Sequence, residues 1–400
     1  MAHDRLSLNR LMSAALCLVL LLTLTAQSLY AGEPDLEAFR AAKQAYFRKP
    51  KQAADLFRSF LKDFPQSQWT PQAYYWLARS LESAKADRSE VIKAYTLFLR
   101  RYPNHDLGDE ATFAIAELYR NRRTDSDELK KALDRYQNFV KNFPGSDRIP
   151  EAHFKIGDLL MTLKEYDKAL VAFRKVTEDF AESSFAVPAK IGNAGCLYRM
   201  KKHDQAIAAY SALLKLELND SDRLKVRVGL LSAYLDSDRI DEALSQARQI
   251  RNEANRRGHR QDWAALDSYR RVASYYQRKK QYDKAVAELN EYIDRFPKSQ
   301  GIWSARIAVG NVYMAAHQFD KARTEFNTII RTHPNADDKK TQSSVLYARY
   351  RIANAFEYQN KPDQALPLYE ALAKQHPKSC WGTNAAKRID GLKAKTTPKK

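Results

Sequence analysis

The side chains able to do chemistry in this 400-residue sequence include eight histidines, three cysteines and 48 acidic residues. Their spacing points away from catalysis. His105, His203 and His317 fall near turns, and His333 and His376 stand where related segments hold an aromatic ring. No two histidines are spaced as metal ligands, and neither a glycine-rich phosphate loop nor a nucleophile elbow occurs. Glu117, Asp158 and Glu357 are scattered over helical segments, where they read as solvated or groove-lining residues rather than a paired acid and base. Cys196 and Cys380 are expected far apart, which disfavours an intrachain disulfide. Cys196 reads as a small buried helix residue and Cys380, beside Trp381, as a partly exposed thiol. The expectation is a non-enzymatic chain with no cofactor and no metal.

Charge carries more information. Lysine and arginine number 67 against those 48 acids, a formal net charge of +19. The segment from Arg223 to Lys284 is basic and contains Arg248, Arg251, Arg256, Arg257 and Arg260, a candidate anion-binding cluster. A second cluster, Lys387, Arg388, Lys393, Lys395, Lys399 and Lys400, closes the chain. Such surfaces attract anions over roughly a Debye length, about 8–10 Å. The first residues decide which anions are relevant. Arg5 and Arg10 precede an apolar run from Leu11 to Ala26, and small residues suit signal-peptidase cleavage near residue 28 or 31. The run is short for a membrane span, so cleavage is expected over retention as an N-terminal anchor. Cys17 follows Leu16 inside that run, a poor context for lipid attachment. For an exported, periplasmic chain, lipid headgroups, acidic glycans or acidic proteins replace nucleic acid as candidate partners. A solubilising basic face explains the charge equally well.

The elements that must position these residues announce themselves by repetition. Ala53, Val91, Ala132, Ala169, Ala206, Ala243, Ala285, Ala322 and Ala365 recur at spacings of 37 to 43 residues. Each but Ala243 is followed four residues later by a bulky side chain: Phe57, Tyr95, Tyr136, Phe173, Tyr210, Leu289, Phe326 and Tyr369. Seven residues further on stand Phe64, Tyr102, Phe143, Phe180, Phe296, His333 and His376, six of them before a proline. Steps of four and seven share one helical stripe, and proline after the stripe ends the helix. Asp167, Asp204, Asp241, Asp283, Asp320 and Asp363, two residues before the small position, are expected to cap these helices, with Ser89 in that role in the second copy. A preceding helix is marked by groups such as Ile156, Gly157 and Leu160, or Val309, Gly310 and Tyr313, whose small middle residue permits close approach. A single hairpin cannot bury its apolar stripe, so hairpins must stack.

This pattern resembles the tetratricopeptide repeat over roughly residues 36–378, with departures in the third copy around Arg122 to Asp127 and in the sixth, which lacks the aromatics. The resemblance implies an all-α fold, a right-handed α-α superhelix of about nine helical hairpins plus a C-terminal capping helix. The expected organisation is a signal peptide over 1–31, the solenoid over 36–378, the capping helix over 379–392 and a basic tail over 393–400. The Phe-Pro-x-Ser junctions at Phe64, Phe143 and Phe296, with His376-Pro377-Lys378-Ser379, resemble those of bacterial envelope members: the lipoprotein of the barrel-assembly complex and the Tol-Pal-associated protein. That resemblance implies a scaffold recruiting envelope proteins or peptides through a concave groove. Registering the copies on their small positions puts Tyr75, Phe113, Phe154, Ile191, Ile307 and Tyr350 at one groove-facing step, with Arg79, Glu117, Asp158, Asn311 and Asn354 one turn later. The alternative expectation is an anionic polysaccharide- or lipid-binding module of an export machinery.

Overall fold

The computed structural model describes residues 33–120, 125–256, 262–332 and 339–396. The leader expected over 1–31, and with it Cys17, lies outside them, as do His333 and the chain's last four residues. Every regular element among the described residues is an α-helix, and the helices follow one another as hairpins. The chain divides into two compact units, residues 1–186 and 187–400.

The first unit contains α1 (Pro34–Arg48), α2 (Pro50–Asp63), α3 (Thr70–Ser83), α4 (Arg88–Arg101), α5 (Gly108–Arg120), α6 (Ser126–Asn142), α7 (Ile149–Thr162) and α8 (Tyr166–Asp179). Within the unit, consecutive helices pack on one another. The second unit holds α9 (Ala186–Arg199) from Val187 onward, α10 (His203–Leu213), α11 (Asp220–Asp236), α12 (Ile240–Arg256), α13 (Asp262–Arg278) and α14 (Tyr282–Arg295). It continues through α15 (Ile302–Ala315), α16 (Phe319–Thr332), α17 (Lys339–Tyr358), α18 (Pro362–Gln375) and α19 (Cys380–Thr396). From α10 onward, consecutive helices again pack on one another. The irregular sixth copy is a hairpin of two 17-residue helices, α11 and α12, whose missing aromatics are replaced by Ala247 and Ile250 against Leu231, Val272 and Tyr275.

The nine repeated small residues all lie on even-numbered helices and are at most 2% exposed. Their bulky partners are buried as well, Phe57, Tyr95, Tyr136, Phe326 and Tyr369 completely. Burying one such ring contributes about 1.5–3 kcal/mol, so the repeated stripe is the main source of cohesion. The close approach expected at the small middle residues is present. A Cβ built on Gly157 would stand 2.5 Å from the Phe173 ring, and one on Gly310 2.7 Å from Phe326.

Two backbone devices set the repeat. Lys85, Lys164, Lys201, Asp238, Lys280, His317 and Asn360 close seven hairpin turns with φ between 55° and 65°. In each, the following amide donates to the carbonyl five residues back, as in Lys202 N–H to Leu197 and Gln318 N–H to Tyr313. This tight closure corrects the capping expectation. The second helix begins so soon after the left-handed residue that Glu165, Lys202, Gln281 and Lys361 occupy the N-caps, with no side-chain bond. Asp167, Asp204, Asp283 and Asp363 fall one residue past the helix start, where their charge complements the helix dipole. Ser89 likewise lies inside α4, giving its amide to the true cap, Asp87. Asp125 and Asn219 cap α6 and α11 in the same way.

The second device is the junction between copies. Phe64, Tyr102, Phe143, Phe296 and His376 end their helices at φ −125° to −133° and ψ 53° to 64°, outside the α region that a following proline disfavours. Phe180, followed by alanine, adopts nearly the same angles, −134° and 46°, so packing of the ring contributes too. The junction serines tie copies together: Ser67 Oγ donates to Asp35 Oδ2 and Ser146 Oγ to Asp109 Oδ2, both at 2.7 Å. At the end of the chain, α19 buries Ala385 and Leu392 on the cluster of Leu346, Ala353 and Tyr369, and Trp381 lies against Tyr347 and Tyr350.

Candidate protein-binding site

The register-derived ladder divides when its side chains are placed. In the first unit, Tyr75 is 7% exposed and meets Tyr95 and Phe98 edge-on, while Phe113 is 1% exposed and meets Tyr136 and Phe139. The Arg148 guanidinium covers the Phe113 ring at 3.4 Å. These two are therefore core residues and are withdrawn as anchors for a partner. A ring at this step is long enough to reach across its own hairpin to the facing stripe, and hydrophobic burial draws it there. Phe154 is half-buried against Phe173 and Phe185. In the second unit, Ile191, Ile307 and Tyr350 are likewise half-buried at the margins of core clusters.

The polar step is mostly committed to the protein itself. Arg79 reaches Glu82 at 3.5 Å, and Glu82 accepts from the Tyr95 hydroxyl. Glu117 accepts from Arg120 and the Tyr136 hydroxyl, with Lys155 of the next hairpin 3.5 Å away. Burial raises the Glu117 carboxyl, but the bonds from Arg120 and Tyr136 and the Lys155 charge outweigh it and hold the group below its ordinary value. Asn311 accepts from Tyr347, and Asn354 is 3% exposed beneath the Tyr369 hydroxyl. Asn354 is thus also withdrawn from the binding face. Arg79, Phe154 and Asp158 in the first unit, and Ile191, Ile307, Asn311 and Tyr350 in the second, remain partly accessible.

The basic cluster also needs correction. Arg251 is 4% exposed, stacks on Tyr269 at 3.5 Å and is bonded to Glu288, with Glu291 at 3.8 Å. Burial pushes the Glu288 carboxyl up, against the pull of the Arg251 cation. Arg251 is a core ion-pair residue, closed to any surface anion. Arg248 is exposed on α12. Arg257 and Arg260 lie outside the described residues, as does the Arg256 side chain. Cys196 is buried and Cys380 exposed.

Sequence reasoning missed a cleft of about 590 Å³ in the second unit, lined where three hairpin turns follow one another. Tyr198, Arg199, Lys201 and His203 come from the first turn, Leu235, Asp236 and Asp238 from the second, and Tyr275, Arg278 and Lys279 from the third. Asp236 accepts from Tyr198 at 2.7 Å and Arg278 at 3.2 Å. Asp238 accepts from Tyr275 at 2.6 Å and lies 2.8 Å from Lys279. These bonds hold the Asp238 carboxyl below its ordinary range, and the Tyr275 hydroxyl is pushed up to about 12, first by its bond to Asp238 and then by burial. The available signal was Tyr198 and Tyr275 standing 38 and 37 residues from Asp236 and Asp238, one repeat away in each case.

Comparison with known proteins agrees with this architecture. Residues 32–173 match the profile of an outer membrane lipoprotein family, and residues 261–299 and 347–379 match the tetratricopeptide repeat. The lipoprotein match falls within the first unit and the repeat matches within the second. No curated protein matches the chain. Among solved structures, the chain is similar to a tetratricopeptide repeat protein from Parabacteroides merdae at 15% identity, covering 68% of this chain and 98% of that one with a TM-score of 0.47. It is also similar to the C-terminal part of a repeat-containing protein from Cytophaga hutchinsonii, at 13% identity, 68% and 98% coverage and a TM-score of 0.42. A signal-transduction ATPase with a tetratricopeptide repeat sensor from Pyrococcus horikoshii gives 17%, 84%, 56% and 0.47. The hairpins and the two family matches together identify a tetratricopeptide-repeat chain resembling bacterial envelope members.

Proposed function

We propose that this tetratricopeptide-repeat chain is a non-enzymatic scaffold of the bacterial envelope, acting in the periplasm, that recruits other proteins on the accessible faces of its odd-numbered helices. The observation that carries the reading is the match of residues 32–173 to an outer membrane lipoprotein family, over a segment whose described residues are stacked hairpins. Repeated hairpins place side chains at fixed intervals along one face, a geometry suited to an extended segment or a helix of a partner. Export is supported by the basic-then-apolar sequence of residues 5–26. No helix among the described residues is long and apolar enough to cross a membrane. The match to the lipoprotein family starts after Cys17, so it lends that residue no lipid-bearing role. The anionic-glycan reading loses its central cation with the burial of Arg251.

The test is crosslinking in cells from a photoreactive residue placed at Asp158, on the accessible side of α7, with Lys62 on the exposed side of α2 as the control. Adducts with envelope proteins from position 158 and none from position 62 are expected. Adducts confined to cytosolic proteins, or none from position 158, overturn the proposal.

A further inference from the structure

The cleft between the three hairpin turns of the second unit has an unbalanced lining. Asp236 and Asp238 are each met by one tyrosine hydroxyl and one cation, Arg278 or Lys279. Arg199 and Lys201 are exposed and have no acidic partner among the described residues. The His203 ring, also in the lining, lies 5.7 Å from that of Tyr198, and its Nδ1 atom is buried. Four cations against two carboxylates leave the cleft positive, and its volume lies within the range of sites that hold small ligands or chain segments.

The ligand must supply an anion together with hydrogen-bond donors. A bare polyanion would meet Arg199 and Lys201 favourably but would also meet Asp236 and Asp238 head-on. A carboxylate on a peptide avoids that conflict. Each aspartate has about four acceptor sites, and only some are filled by the tyrosine and the cation, so neighbouring backbone amides find acceptors there. We propose that this cleft receives a carboxylate-bearing segment of a partner protein. Arg199 and Lys201 hold the carboxylate, and Asp236 and Asp238 accept the adjoining amides. The assignment rests on the protein-recruiting reading above and gives it a ligand class.

The test uses the full chain and a fluorescein-labelled Gly-Ser-Glu-Ser-Gly peptide. Gly-Ser-Gln-Ser-Gly serves as the neutral control, with polygalacturonate and phosphatidylglycerol vesicles as rival sources of anionic groups. Saturable binding of the acidic peptide alone is expected, weakened about tenfold by Arg199→Ala with Lys201→Ala, since two charge-assisted contacts are lost. Both side chains are exposed, so this variant is expected to keep the wild-type circular dichroism melting curve. Equal binding by the double variant, no binding of the peptide, or binding of only the glycan or the vesicles overturns the assignment. If crosslinks from position 158 persist in any of those cases, the cleft assignment alone falls. If they too are lost, the scaffold reading falls with it.

Discussion

A cation and an acid one repeat apart become partners in this fold, as with Arg251 and Glu288, Lys155 and Glu117, and Arg148 and Glu110. Charge read along the sequence therefore overstates what is offered to a ligand. Arg251 is the sharpest case, because its guanidinium is sealed between Tyr269 and Glu288. Arg251→Met strands the Glu288 carboxylate and is expected to cost about 3–5 kcal/mol in chemical denaturation, part of which returns when Glu288→Gln is added. An unchanged midpoint would show that the pair is not holding α12 to α14. Glu117 gives a pH signature. Its folded carboxyl lies below the ordinary value of 4.5, so it contributes stability above that pH and loses it as the pH falls through the lower folded value. Glu117→Gln is expected to flatten the acid limb of the stability profile while lowering stability near neutrality. Denaturant midpoints across pH 2 to 7 would check both the direction and the window.

At the scale of elements, close contact between the two helices of a hairpin decides the sign of a substitution that propensity alone misjudges. Glycine to alanine inside a helix ordinarily gains about 1 kcal/mol. At Gly157 the new methyl would stand 2.5 Å from the Phe173 ring, which is buried at 1% exposure. Gly157→Ala is therefore expected to destabilise the first unit by about 1–3 kcal/mol, read from its thermal or denaturant midpoint. A gain in stability would mean that α7 and α8 part without cost. The hairpins were legible in the sequence because the stripe of Ala169, Phe173 and Phe180 and the small Gly157 repeat as a set. The caps were misread because the left-handed turn at residues such as Lys164 and Lys201 shortens the connection by about one residue, a backbone effect with no glycine to mark it.

At the scale of the molecule, periodicity revealed the architecture far better than the surface. The small positions needed only a repeat length to be found, and all nine are buried. The ladder needed more, because register places a residue on a helical face without saying whether its ring folds inward. Tyr75 and Phe113 reach their own hairpin's second helix, whereas Asp158 is too short to do so and stays at the surface. The cleft escaped a reading made one copy at a time because it joins residues from three successive copies.

The joints between copies have one more consequence. Phe64 and Phe143 end their helices at the same φ of −127° and ψ of 57°, and each hands over to proline. Excising residues 65–143 would set Phe64 beside Pro144 with the backbone already at the required angles, so genetic recombination could shorten or lengthen such a chain by whole modules without inventing a new bend. Uniform hinges make the array editable, and differences in reach between related chains can then arise from copying rather than from redesign.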